Sequence, residues 1–207
     1  RNFQKKSGFP SNLWILQQLL HPVLLNFFIL PTYTLLRIGK TSLNLFQWLH
    51  ILSKAVHRKE KMGKSPGYFP KALPNALATL ALFQLQKLEK FNQHRKKIAN
   101  FFLEKLQNTS FQLPKIQSDR EHIFLRVPVK HPKAHQIIKQ AWKRNILIGD
   151  WYDSPVAPKN TKLEKMQYQI GSCPKAEKLS RETFNLPTHI NISEKEAQKI
   201  VNFLKNF

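Results

Sequence analysis

The chain has 207 residues, 42% of them hydrophobic and 15 of them Phe, which is enough for a packed core and excludes a wholly disordered polymer. Its formal net charge of +22 points to an anionic partner, nucleic acid or a membrane surface, but the lysines are spread along the whole chain and only six glycines occur, which argues against an RNA-binding tail. The single cysteine, Cys173, rules out a disulfide within the chain and fits a reducing, cytoplasmic compartment.

Residues 7–36 contain no Asp, Glu, Lys or Arg. Length alone would admit a membrane span of ~20 residues. Gln17, Gln18, His21 and Asn26 interrupt the apolar run, however, and Pro22 and Pro31 predict a break into two short helices. The reading is a broken hydrophobic hairpin, either buried in a core or dipped into a bilayer interface. Lys5 and Lys6 precede it, and Arg37, Lys40, Lys54, Arg58, Lys59 and Lys61 follow. Trp14, Phe27, Phe28, Tyr33 and Trp48 are aromatics of the kind that favours a headgroup region. Residues 41–54 predict a second amphipathic helix, capped by Thr41 or Ser42, with Leu45, Trp48, Leu49 and Leu52 on its stripe. Residues 55–74 form a loop punctuated by Gly63, Pro66, Gly67, Pro70 and Pro74.

From Pro74 to Gln107 the positions Leu77, Ala81, Leu85, Leu88, Phe91, Arg95, Ile98, Phe102 and Leu106, all but Arg95 apolar, recur every three or four residues. They predict one uninterrupted helix, roughly 50 Å long at ~1.5 Å per residue. Ala76, Ala78 and Ala81 make its start slim and suited to burial, while charged residues from Lys87 onward leave its second half partly exposed. The pattern suits a connector between two domains, and equally one long helix of a bundle. Beyond it, residues 111–114 and 122–129 predict strands, 132–145 a helix with Ile137, Ile138, Ala141 and Trp142 inward, and 146–149 a short strand. Residues 150–158 form a loop rich in aromatics and prolines. A strand over 167–170, a helix over 174–181, a strand over 184–186 and a final helix from Ser193 complete the chain. Ser193 with Glu196 forms a capping box. This alternation predicts a small α/β domain with a sheet of three or four strands. The expected divisions are 1–72 for a helical hydrophobic insertion and loop, 73–108 for the connecting helix and 109–207 for the small domain.

Residue patterns with chemical potential are few. Gly39-Lys40-Thr41 and Gly63-Lys64-Ser65 imitate the end of a P-loop, but Thr34 and Arg58 stand where its first Gly is required. His131 and His135 share a helical spacing without an accompanying Cys or carboxylate cluster, so no metal site is assigned. Asp150 and Asp153 flank an aromatic pair, which is weak support for acid–base work. Cys173, with no base in view, reads as a small buried residue, and His189 as a turn residue.

Several segments, in order, resemble one known family. Gln84-Leu85-Gln86-Lys87-Leu88-Glu89 with Asn92 and Arg95 is similar to the long helix of the DegT/StrS group of sugar-nucleotide aminotransferases. Residues 145–156, then Pro174-Lys175-Ala176-Glu177, Asn185-Leu186-Pro187-Thr188-His189 and 194–204 resemble the elements that follow it. The resemblance implies an α/β fold: the C-terminal small domain of a fold type I transferase dependent on pyridoxal 5'-phosphate (PLP), preceded here by a hydrophobic insertion over 9–54. It implies a homodimer, a sugar-nucleotide substrate and an amino-acid donor. By the same resemblance Lys71 and Asn75 face the cofactor phosphate, although Phe69-Pro70-Lys71 departs from the family's run there, and Trp151 and Tyr152 line the sugar pocket. None of the lysines stands in the family's Schiff-base context. Together with Arg1 in place of an initiator Met, this leads to the expectation of a C-terminal part with no catalytic residue of its own and no covalent cofactor. The alternative is a basic, non-enzymatic module for nucleic acid or for the anionic inner face of a membrane, with nucleic acid the weaker of the two.

Overall fold

A computed structural model describes residues 6–33, 38–54, 56–67 and 70–207. Arg1, Lys5, Thr34, Arg37 and Phe69, named above, lie outside the described residues. The chain forms two compact units, Arg1–Gln86 and Lys87–Phe207.

In the first unit, helix α1 runs over Asn12–Leu24 and passes without a break into a wider π turn at Leu25–Ile29. Ser11 caps its start by accepting the Trp14 N–H. The expected break at Pro22 is absent. A proline removes one N–H and crowds the preceding turn, yet the helix runs on through it, and a wider turn follows downstream. The Leu30 N–H reaches back five residues to the Leu25 carbonyl at 2.8 Å, and Asn26 Nδ2 donates to the Pro22 carbonyl at 2.9 Å. The chain then turns through Leu30–Tyr33 into α2, Ile38–Trp48, which starts earlier than the caps at Thr41 or Ser42 suggested. Gly39 is buried, and a Cβ there would lie 2.2 Å from the Ile29 carbonyl oxygen, so only glycine allows this close approach. Helix α3, Asn75–Leu85, closes the unit.

The expected single long helix is interrupted. Helix α3 ends at Leu85 and α4 begins at Leu88 and runs to Lys105. Lys87 between them has ψ near zero (−3°), which opens the hydrogen-bond ladder for one step without any Pro or Gly to mark it. Burial is also the reverse of the expectation. The alanine-rich α3 has no buried residue, whereas α4 buries Asn92, Ile98, Ala99 and Phe102.

The second unit holds the principal core. Strand β1, Arg126–Lys130, pairs antiparallel with β2, Thr183–Pro187, in the register Val127 to Leu186 and Val129 to Phe184. Single-residue bridges extend the pair on both sides, Gln112 to Lys130 and Gly149 to Asn185. The expected sheet of three or four strands is thus a two-stranded ribbon with bridges where the segments 111–114 and 146–149 were expected to form strands. Val127, Val129, Phe184 and Leu186 pack under α4, α5 (Ala134–Lys143) and α7 (Glu194–Leu204), against Phe102, Ile137, Ile200 and Leu204. Trp142, expected inward on α5, is half exposed with its indole N–H on the Ile148 carbonyl at 2.8 Å.

Two strand expectations fail for local reasons. Residues 122–125 do not join β1, because Phe124 is left-handed (φ 53°) and the buried Thr188 hydroxyl lies 2.7 and 2.9 Å from the carbonyl oxygens of Phe124 and Leu125. Residues 167–170 curl instead of extending. Gln167 has φ 55°, and Glu177 in the first turn of α6 (Pro174–Glu182) takes both the Tyr168 hydroxyl and the Gly171 N–H. Those contacts hold the Glu177 carboxyl below its ordinary range, the Gly171 N–H foremost. Cys173, expected to be buried, is exposed. The Ser193–Glu196 capping box forms as expected.

Candidate functional site

The alternation of β1 sends Val127 and Val129 into the core and leaves Arg126, Pro128 and Lys130 on the opposite face. The loop after residue 149 folds over that outer face. Gly149 and Asn185 exchange backbone hydrogen bonds at 2.8 and 2.9 Å, and Asn185 Nδ2 donates to the Trp151 carbonyl at 2.9 Å. This fixes the loop at its root. A Cβ on Gly149 would meet Arg126 Nη1 at 3.2 Å, so the absence of a side chain leaves room for the guanidinium to cross. Arg126 places its Cζ 4.5 Å from the centre of a Trp151 ring, a cation–π geometry.

Trp151 and Tyr152 meet edge to face with centroids 6.5 Å apart, and both stay open to solvent, 56% and 63% exposed. Beyond them Lys159 forms an ion pair with Asp153 and lies 3.6 Å from Asp150. The hydrogen bond that Lys159 donates to Asp153 raises its pKa above the ordinary lysine value, with Asp150 adding to it and burial opposing it. His189 sits two residues beyond β2. Burial lowers its pKa against the pull of Glu196, and the charges of Arg126, His94 and Arg95 lower it further. His131 Nδ1 accepts the Lys133 N–H and its ring lies against Phe111, centroids 5.0 Å apart. His135 Nε2 is 3.4 Å from the Ser180 carbonyl oxygen.

The structure therefore brings Trp151 and Tyr152 together with an arginine that the sequence reading did not single out. Lys71 and Asn75 lie in the other unit. Both are exposed, Asn75 at the first position of α3. Arg126 had one signal in the sequence, its place on the polar phase of an alternating strand. Asn185 stood in the run 185–189 that resembles the family, but nothing in the sequence pointed to its bond to the Trp151 carbonyl.

A model of the DegT/DnrJ/EryC1/StrS aminotransferase family matches residues 47–205. The chain belongs to this family. The match begins inside the stretch read as an insertion, so residues 1–46 of that N-terminal part fall outside it, with 206–207 at the other end. The chain is 26% identical over 132 residues to dTDP-3-amino-3,6-dideoxy-alpha-D-galactopyranose transaminase of Aneurinibacillus thermoaerophilus, covering 63% of this chain and 35% of that protein. Its fold is similar to that of DesV from S. venezuelae (TM-score 0.57, 20% identity, 72% of this chain and 42% of that one). It is likewise similar to the sugar aminotransferase CalS13 of Micromonospora echinospora (TM-score 0.57, 16% identity, 81% of this chain and 44% of that one). The chain thus spans less than half the length of these relatives.

PLP dependence is a property of the family. The group requires an amine able to lose its proton, a carboxylate at its ring nitrogen and donors around its phosphate. Lys159 is unsuited to the first role, because its carboxylate partners hold it charged. Lys71 and Asn75 beside a helix start suit the phosphate alone. Among the described residues the fit covers the phosphate end of the group and no more.

Proposed function

We propose that this chain supplies the substrate-facing small domain of a PLP-dependent aminotransferase for keto-sugar nucleotides, and that residues 1–207 alone carry out no transamination. The observation that carries the reading is the Arg126–Trp151 pair, held over the outer face of the ribbon by Asn185. An exposed indole and phenol offer flat apolar faces on which a sugar ring stacks. A guanidinium presents paired donors that match a phosphate edge. In this reading Trp151 and Tyr152 hold the sugar, Arg126 neutralises the diphosphate, and Lys71 and Asn75 approach the phosphate of the cofactor. When bound, PLP supplies the electron sink of the reaction. Asp150 and Asp153 are committed to Lys159, so they serve to shape the loop and not to move protons.

Calorimetric titration of the full chain with a thymidine diphosphate sugar, the ligand class suggested by the name of the Aneurinibacillus relative, tests this. Trp151→Ala and Arg126→Gln are each expected to weaken binding about tenfold, in line with the loss of one stacking or charge-assisted contact. Unchanged affinity in both variants would remove the loop from the binding site.

A further inference from the structure

Helix α1 leaves one apolar face uncovered. Leu13, Leu16, Leu20, Val23 and Phe27 follow one another at steps of three and four residues, the spacing of a single helix face, and all five are exposed, Leu13 to 77% and Phe27 to 83%. Two glutamines of the same helix are better covered than these apolar side chains. Gln17 donates through Nε2 to the His50 carbonyl, and Gln18 accepts from Ser53 Oγ at 3.4 Å with its Nε2 shielded from solvent. Ile29 anchors the inward side at 1% exposure. Helix α2 adds exposed Ile38, Leu45 and Trp48, and the two helices are joined by the Phe28–Phe46 ring contact at 6.0 Å. An apolar stripe this long is rarely left facing water.

Charge decides between occupants. Residues 1–86 hold eleven Lys or Arg and one acidic residue, Glu60. A second copy would bring the same excess of positive charge against this one, whereas an anionic leaflet attracts it, with ~1 kcal/mol for each cation near the surface. Asn12–Ile29 is long and apolar enough to cross a membrane by length and composition, with a mean hydropathy of 1.2. Gln17 and Gln18, bonded to residues 50 and 53 of the same unit, instead favour a helix lying in the plane of the interface.

We propose that the first unit docks on an anionic lipid surface through the Leu13–Leu16–Leu20–Val23–Phe27 face of α1, in the plane of the bilayer. The test is co-sedimentation of the full chain with vesicles of phosphatidylcholine, with and without phosphatidylglycerol. Binding is expected only with phosphatidylglycerol, to weaken only in part at high salt, and to fall at least about tenfold in Leu16→Gln/Val23→Gln, which removes apolar area without changing charge. Both positions are exposed, and circular dichroism is to check that the variant is folded. As a second readout, brominated phosphatidylglycerol is expected to quench tryptophan fluorescence, and to quench less in Trp48→Phe. Equal binding by the variant would assign vesicle attraction to general charge and overturn the proposal. So would retention on the vesicles after an alkaline wash, which marks a spanning helix, and so would a wild-type dimer that the variant abolishes without any vesicle binding.

Discussion

Asn185 is the residue on which the candidate site turns. It is 3% exposed, pairs through its backbone with Gly149 and through its side chain with the Trp151 carbonyl. Asn185→Ala is expected to cost about 1 kcal/mol, the usual net value of a hydrogen bond, and to shift tryptophan emission to the red as the loop loosens. An unaltered spectrum would show that the loop is held by other contacts. Arg126 was half legible in the sequence: alternation put it on the outer face, but only the folded loop brings Trp151 to it, across a separation that no local pattern encodes. Trp151 and Tyr152 came from the family resemblance, and Lys159 became meaningful only through its carboxylate partners. At the same scale, burial lowers the pKa of His131, with Lys133 adding to it, and burial likewise leads the causes at His189. Each ring therefore binds a proton less readily in the folded chain than in the unfolded one. The stability this represents is present above the ordinary value of 6.5 and is lost as pH falls through it. The urea midpoint of the second unit is expected to drop between about pH 7.5 and about pH 5.5, and to drop less in His189→Asn. A midpoint that rises on acidification would contradict the assignment.

Among the elements, the final helix was the most legible, because Ser193 and Glu196 state its start in the sequence itself. Ser193→Ala is expected to cost about 1 kcal/mol, seen as a lower melting temperature of the second unit. The strands were legible where alternation and pairing agree, as at Val127 and Val129. They were overread where a distant side chain claims the backbone, as Thr188 does at Phe124 and Leu125. Pro22 misled because a proline is read as a break, while the helix runs through it and on into a π turn. Gly39 carries the opposite lesson. Its Gly-Lys-Thr context suggested a phosphate loop that the spacing rejects, and its use is steric. Gly39→Ala is expected to destabilise the first unit by about 1–3 kcal/mol or more, since the clash is with backbone. A neutral effect would mean that α2 approaches the Leu30–Tyr33 turn less closely than described.

At the scale of the whole molecule, the two units differ in how much core they own. Among the described residues of the first unit the buried hydrophobic side chains are Ile29, Leu52 and Ala72, whereas the second buries a continuous cluster from Ile98 to Leu204. Amide exchange is therefore expected to be fast in α1, α2 and α3 and slow in α4, β1, β2 and α7. Uniform protection would deny that the units differ in stability. The composition announced a strongly basic chain, and the division of charge between a nearly acid-free first unit and a mixed second one was there to be read. What was not legible was the direction each helix faces, because burial of α1 and α3 depends on partners outside their own sequence. The central claim, a substrate-facing domain that does not itself carry the cofactor's imine lysine, is tested most directly by incubating the chain with PLP, reducing with borohydride and mapping the adducts by mass spectrometry. The account predicts low, scattered labelling over exposed lysines; stoichiometric labelling of a single lysine would contradict it.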